Sequence, residues 1–405
     1  MDVSQLFSQR ARAGVDPELA IILAGPPPGT LGMTGGFPNA DAFPQEELTE
    51  ITARLVRDEP GLALQYTASA GIPSFREYLV ERTARLQGRE PAYEELMVTS
   101  GGMECLDLLC RSLLDGGDPV AVEGPTYLGA IMAFRDYGAQ VHGVPMDGDG
   151  LEVDWLRERL DRGFRPKFLY TIPEFQNPSG RTLSLERRRA LIELCRAYGV
   201  LIVEDVAYRE LSFDGSSLPS LWSLGPDVVV QAGTFSKIFC PGTRLGWAIG
   251  PAPLIAQLSS AKGGTDQCAG ALGQRMVEEY GRAGLFGKRL PHARALYESH
   301  WVALSAALCR HMPEGVAWSE PTGGMFTWLR MPEGLDARSL RPAATEAGVA
   351  YVPGAPFYVD GGGANEMRLS FSSLDERSLA VAAERLAGVI EEALSSSATA
   401  ATAPR

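Results

Sequence analysis

The sequence predicts an α/β protein: a large domain built on a mainly parallel sheet covered by helices, followed by a smaller α+β domain. Three observations carry that prediction. The chain has 405 residues, which at roughly 100–200 residues per domain gives two domains, or one with a satellite. Between about residues 45 and 250, short β-branched runs alternate with helical patterns, the signature of parallel strands joined by crossover helices. Beyond residue 310 the pattern changes to a few short strands and a closing amphipathic helix.

Residues 1–44 carry AGPPPGTLGMTGGFPNADAFP, rich in Gly and Pro, and are expected to form an irregular arm after a short N-terminal helix. The arm should join the small domain, and the first long helix should begin near Pro44. The large domain, 45–285, contains the strand candidates VAVEG (120–124), KFLYTI (167–172), VLIVED (200–205) and DVVVQAG (227–233). LERRRALIELCRAYG (185–199) is an amphipathic helix between two of them. The small domain, 286–395, offers GMFTWLRM (324–331), VAYVPG (349–354) and MRLSFS (367–372) as a small sheet, with DERSLAVAAERLAGVIEEALS (375–395) packed on it. Residues 396–405 are small and polar and are expected to be disordered.

Apolar residues make up 45% and charged residues 21%, which excludes a disordered or fibrous chain. The net charge is −13, so no basic field gathers nucleic acid or an anionic membrane, and small molecules are the expected partners. The six cysteines include no CxxC pair and fall mostly in apolar runs, which reads as reduced thiols in a cytoplasmic protein. The N-terminal stretch has no apolar core followed by a cleavage signal, and no run of about 20 apolar residues suggests a membrane span.

The chemistry gathers at strand ends. Lys237, in Thr234-Phe235-Ser236-Lys237, follows the fourth strand, and α/β enzymes place ligands at the C-terminal edge of a parallel sheet. A lysine there can form a Schiff base with an aldehyde; a plain loop lysine is the alternative. Asp205 ends VLIVED at the same edge. An acid closing an apolar strand needs a cationic partner, and the protonated ring nitrogen of pyridoxal phosphate is one; a helix cap or an ion pair is another. Asn177, in FQNPSG, offers an amide at a third strand end, although Asn-Pro is also ordinary turn chemistry. Ser100-Gly101-Gly102-Met103 opens a helix whose free amides suit a phosphate, and Arg244 could clamp the same phosphate. Asn177, Asp205 and Lys237 converge on one rim.

Taken in order, GGFPNADAFP, GIPSFREYL, TSGGMECLDLL, EGPTY, FQNPSG, VEDVAY, FSKIFCPGTRLGW, GGMFTWLRMP, VAYVPGAPFY and NEMRLSFS resemble the pyridoxal-phosphate-dependent aminotransferases of fold type I, class I/II. The resemblance is closest to the branch containing 2-aminoadipate and aromatic or branched-chain aminotransferases. It implies a seven-stranded-type large sheet, a homodimer with shared active sites, and an amino acid and a 2-oxo acid as substrates. It also implies that Lys237 holds the cofactor as a Schiff base and moves the proton, while Asp205 keeps the ring nitrogen protonated. Asn177 and Tyr208 would bond the phenolic oxygen, and Tyr127 would stack on the ring. Gly102, Met103, Thr234, Ser236 and Arg244 would hold the phosphate, with Tyr66 reaching the neighbouring subunit's phosphate. Arg368, with Asn177 and Gly36 of the arm, would bind the substrate.

Two features depart from that family: Gly102-Met103 stands where many relatives carry Ser-Gln, and the arm is longer and more Pro-rich. They leave open an alternative enzyme of the same cofactor class that performs β- or γ-elimination, replacement or carbon–carbon bond formation. A transcription regulator would need a basic winged-helix head that residues 1–44 lack. The glycines of the arm lack the spacing and strand context of a dinucleotide fingerprint. With four histidines and no HExxH or P-loop motif, no metal site is expected.

Overall fold

The computed structural model describes residues 1–12 and 25–402. In chain order the strands are β1 (Leu31–Gly32), β2 (Leu96–Thr99), β3 (Pro119–Gly124), β4 (Gln140–Asp147), β5 (Gly150–Leu151), β6 (Phe168–Thr171) and β7 (Leu201–Asp205). They continue with β8 (Val229–Thr234), β9 (Gly246–Ile249), β10 (Ala317–Trp318), β11 (Phe326–Arg330), β12 (Val349–Ala350), β13 (Val352–Pro353) and β14 (Glu366–Ser370).

The large sheet has the order β2-β9-β8-β7-β6-β3-β4-β5. The links from β4 through β3, β6 and β7 to β8 are parallel, whereas β9 runs antiparallel between β8 and β2 and β5 is a short antiparallel extension. The inner strands are apolar on both faces because helices cover both. All of β6 and β8 and the middle of β3 and β7 are buried, as a parallel sheet requires. The crossover helix Leu185–Tyr198 starts where the Ser184 hydroxyl accepts from the Arg187 amide and stops at Gly199, φ 66°. Parallel direction then puts the C-terminal ends of β6, β7 and β8 on one edge, which is what positions the site.

The small domain is an antiparallel sheet, β10-β11-β14-β13, in which Arg368 of β14 lies between Trp328 and Val352. The long helix Leu285–His311 leads into it and packs along the helix Glu376–Thr402. That last helix differs from expectation: residues 396–402, read as part of a disordered tail, continue it, since an Ala-rich run without Gly or Pro favours helix. Residues 403–405 lie outside the described residues.

The first long helix, Gln45–Asp58, follows Pro44 as expected. Ahead of it the arm is anchored to the small domain, where β1 pairs in parallel with β12, Met33 N–H donates to the Ala350 carbonyl and Ser370 N–H donates to that of Met33. Residues 34–37 are thereby laid across the strand-end rim. The stretch ILAGPPPG, read as atypical, falls partly outside the described residues.

Candidate active site

Lys237 follows β8, and its Nζ donates to the carbonyl of Gly36 at 2.8 Å. Burial, with Arg368 next in weight, pulls its pKa down to about 8 against the opposing pull of Asp205. A neutral amine is therefore accessible near physiological pH, as a nucleophilic lysine requires. Gly36 is a glycine for packing reasons: a Cβ there would come within 2.5 Å of the Phe326 ring.

Asp205 ends β7 with its carboxyl partly exposed. Oδ2 accepts from the Tyr170 hydroxyl at 2.8 Å and Oδ1 from the Ala207 amide at 3.0 Å. Both donors are neutral, and desolvation holds its pKa above the ordinary carboxylate value. Asn177 is buried beyond β6. Its amide donates to the Tyr208 hydroxyl at 3.4 Å while its oxygen accepts from Arg368 at 2.8 Å. Burial pushes the Tyr208 and Tyr127 hydroxyls up, so both remain donors. Tyr127 caps the helix Leu128–Asp136, and its ring folds over Gly129, where a Cβ would meet it at 2.6 Å.

A second cluster lies at the start of the helix Gly102–Leu113. Gly101 holds φ 105°, and a Cβ on it would stand 2.9 Å from Arg244 Nη2; one on Gly102 would stand 3.7 Å from Thr234 Cβ. The Thr234 hydroxyl donates to that of Ser236 at 3.0 Å, and Arg244, itself left-handed at φ 49°, reaches the Ser236 oxygen at 3.5 Å. Two hydroxyls, a guanidinium and the free amides of a helix start thus face one another, and at Gly101 the backbone angle and the close approach of Arg244 call for glycine. Glu104 in the first turn would repel an anion. Buried Lys262 holds it at 2.7 Å, and also bonds Asp266 and Ser100.

Arg368 is buried, which lowers its pKa to about 10. Its two terminal nitrogens donate to Asn177 and to the Thr34 carbonyl at 2.6 Å, Nε has no partner, and its guanidinium carbon lies 4.4 Å from the Phe326 centroid and 5.1 Å from that of Phe357. Among the described residues no carboxylate pairs with it. A buried guanidinium left with neutral neighbours is a receptor for an anion.

The chain therefore brings Lys237, Asp205, Asn177, Tyr208, Tyr127, Arg368 and Gly36 to one cleft, with Gly102, Thr234, Ser236 and Arg244 beside it. Met103 is on the surface at the helix start, 38% exposed. Tyr66 is not drawn into the cluster; it is 79% exposed, its amide bonded to the neighbouring Gln65 side chain. Sequence reasoning missed Glu123, buried at the end of β3, which accepts from the Thr171 hydroxyl, the Ile172 amide and Gln176 Nε2 and so holds the loop that carries Asn177. The signal was an acid inside an apolar strand. The Thr34 carbonyl carried no signal, because any residue supplies one.

A strand-end lysine of lowered pKa thus lies beside a helix start faced by two hydroxyls and a guanidinium, and beside a second, buried guanidinium. Residues 39–386 match the family described as aminotransferase class I and II, and the chain belongs to it. It is 40% identical over 363 residues to the 2-aminoadipate transaminase of Thermus thermophilus, 89% of each chain being covered. It is 36% identical over 367 residues to aromatic-amino-acid aminotransferase 1 of Thermococcus litoralis, covering 89% of this chain and 88% of that one. The structure resembles that of a multiple substrate aminotransferase from Thermococcus profundus with a TM-score of 0.94 at 35% identity, covering 98% and 100% of the two chains. It resembles an α-aminoadipate aminotransferase from Thermus thermophilus, complexed with N-(5'-phosphopyridoxyl)-L-leucine, with a TM-score of 0.90 at 37% identity and the same coverage. The chain is an aminotransferase that uses pyridoxal phosphate.

The titration of Lys237 is directly testable. In the cofactor-free protein, competitive acylation of Lys237 should follow a midpoint near pH 8. Arg368→Met removes a neighbouring positive charge and should move the Lys237 midpoint upward. A Lys237 midpoint at the ordinary lysine value of 10.5 would contradict the geometry.

Proposed function

We propose that the strand-end cleft transfers an amino group from an L-amino acid to a 2-oxo acid with Lys237, Asp205 and Arg368 as the principal groups. The observation that carries this reading is the buried, carboxylate-free guanidinium of Arg368 facing the same cleft as a lysine with a depressed pKa. The residues present also fit the cofactor: the helix start with its hydroxyls and guanidinium suits a phosphate, and among the described residues Asp205 is bonded only by neutral donors, which leaves it to receive a cation.

Pyridoxal phosphate, when bound, supplies an aldehyde and a ring that takes up the electron pair left by a broken Cα–H bond. The chain supplies the rest. Gly102, Met103, Thr234, Ser236 and Arg244 hold the phosphate by helix-start amides, hydroxyls and a guanidinium. Asp205 would pair with the ring nitrogen, Asn177 and Tyr208 would bond the phenolic oxygen, and Tyr127 would stack on the ring. Lys237 Nζ would hold the cofactor, and its amine, neutral near physiological pH, would remove and return the substrate's proton. Arg368 grips the α-carboxylate with Nε and its terminal nitrogens, with Asn177 beside it, and Gly36 brings the arm over the substrate. The Thermus relative's name and the Thermococcus one's, for 2-aminoadipate and aromatic amino acids, support an extended acidic or aromatic side chain as the donor class.

The working form is a homodimer in which Tyr66 serves the neighbouring phosphate. Its exposure supports this, as does that of Leu62 and Leu64 on the same segment. A cytoplasmic location is supported by free thiols at all the cysteines, and among the described residues no helix is long and apolar enough to cross a membrane.

Incubated with an amino donor and no 2-oxo acid, the enzyme should release one equivalent of oxo product per site and stop, and added 2-oxo acid should restart it. Arg368→Ala should weaken donor and acceptor together, by about 2–5 kcal/mol for a broken buried charge pair. Many turnovers without an acceptor would overturn transamination in favour of elimination or bond-forming chemistry. Mixing Tyr66→Phe with Lys237→Ala subunits tests the shared site. A heterodimer gathers both lesions in one site and leaves the other intact, so activity should rise above that of either parent, and no rise after verified subunit exchange would refute the sharing.

A further inference from the structure

Tyr170 is fully buried on β6, paired in register with Val203 of β7, two residues before Asp205. Its ring is held edge-on by Phe134 at 5.6 Å, which in turn packs on Phe168 at 5.2 Å. The hydroxyl is thus fixed by packing, and it donates to Asp205 Oδ2 at 2.8 Å. We propose that Tyr170 is a positioning residue for the reaction, its hydroxyl holding Asp205 ionised and aimed at the cofactor's ring nitrogen; this rests on the reading of Asp205 as the partner of that nitrogen.

Two donors, Tyr170 and the Ala207 amide, each occupy one oxygen of the carboxyl group, which fixes its plane and leaves lone pairs toward the cleft. Lys237, Tyr127, Tyr208, Cys105 and Glu123 also face Asp205 at longer range. Of these, Lys237 alone pulls its pKa down, and Glu123 is itself buried, with a pKa raised to about 7. The Tyr170 hydroxyl is the strongest counterweight to the desolvation that pushes Asp205 up. Burial and the neighbouring carboxylate also push the phenol well above its ordinary value, so it stays a donor throughout the working range. Without it the shared proton would shift from the ring nitrogen to the carboxyl group, and the ring would lose its positive charge. A tyrosine that merely fills the core predicts no such shift.

The test loads the holoenzyme with pyridoxal phosphate carrying an isotope label at the ring nitrogen and reads the nitrogen chemical shift at neutral pH. Tyr170→Phe should lower the ratio of protonated to neutral nitrogen about tenfold, the size of a lost hydrogen bond to a charged group. It should lower kcat with little change in KM for the amino acid. Substituting 3-fluorotyrosine at position 170, a stronger donor of almost the same shape, should move the shift the opposite way, and it keeps the test open if the Phe variant folds poorly. A nitrogen shift that neither substitution moves, while Asp205→Asn does move it, overturns the proposal. If Asp205→Asn leaves the shift unchanged as well, the failure lies with Asp205 as the nitrogen's partner, and the role of Tyr170 falls with it.

Discussion

Asp205 stands where a parallel strand ends, bonded among the described residues by a phenol and an amide but by no cation. An ionised carboxylate in that position is costly unless something positively charged completes it. The rest of the site follows from that demand and from the direction of the sheet. Because β6, β7 and β8 are parallel, the loops that carry Asn177, Asp205 and Lys237 leave from one edge.

The small domain supplies the complementary charge. Arg368 reaches the cleft from an antiparallel sheet and is held by Asn177 and by the arm's Thr34 carbonyl, so one guanidinium connects large domain, small domain and arm. Its charge helps to lower the Lys237 pKa, and among the described residues its Nε has no partner. When a substrate carboxylate neutralises Arg368, the depression of Lys237 should relax and the amine should become a better proton acceptor. On the proposed reading, binding and proton transfer would be coupled through that charge.

The parallel half of the fold was legible because its strands are short β-branched runs buried on both faces, and the helix Leu185–Tyr198 carries its own start and stop in Ser184 and Gly199. The antiparallel β9 and the two-residue strands were less so, since GWAI and VP have no period long enough to read. Lys237, Asp205 and Asn177 could be read as residue types at strand ends, and Arg368 only through resemblance to a family. Contacts made by the backbone were not: the Gly36 and Thr34 carbonyls bond Lys237 and Arg368 through atoms every residue has. Nor was Glu123, whose role depends on three partners from the β6 strand end and the loop after it, brought together only by folding. The helical run through 396–402 carries no apolar face to mark it in the sequence, although Ala favours helix when nothing breaks it.

The central claim is that Asp205 is completed by the cofactor's ring nitrogen. It is tested most directly by titrating the cofactor-free enzyme with pyridoxal phosphate and with an analogue in which that nitrogen is replaced by carbon. The account predicts that the wild-type protein binds the carbon analogue about tenfold or more weakly, as expected when a charged hydrogen-bond partner is lost. It also predicts that Asp205→Asn largely removes the difference. Equal affinity of the wild-type protein for the two compounds, or an unchanged preference in Asp205→Asn, would contradict it.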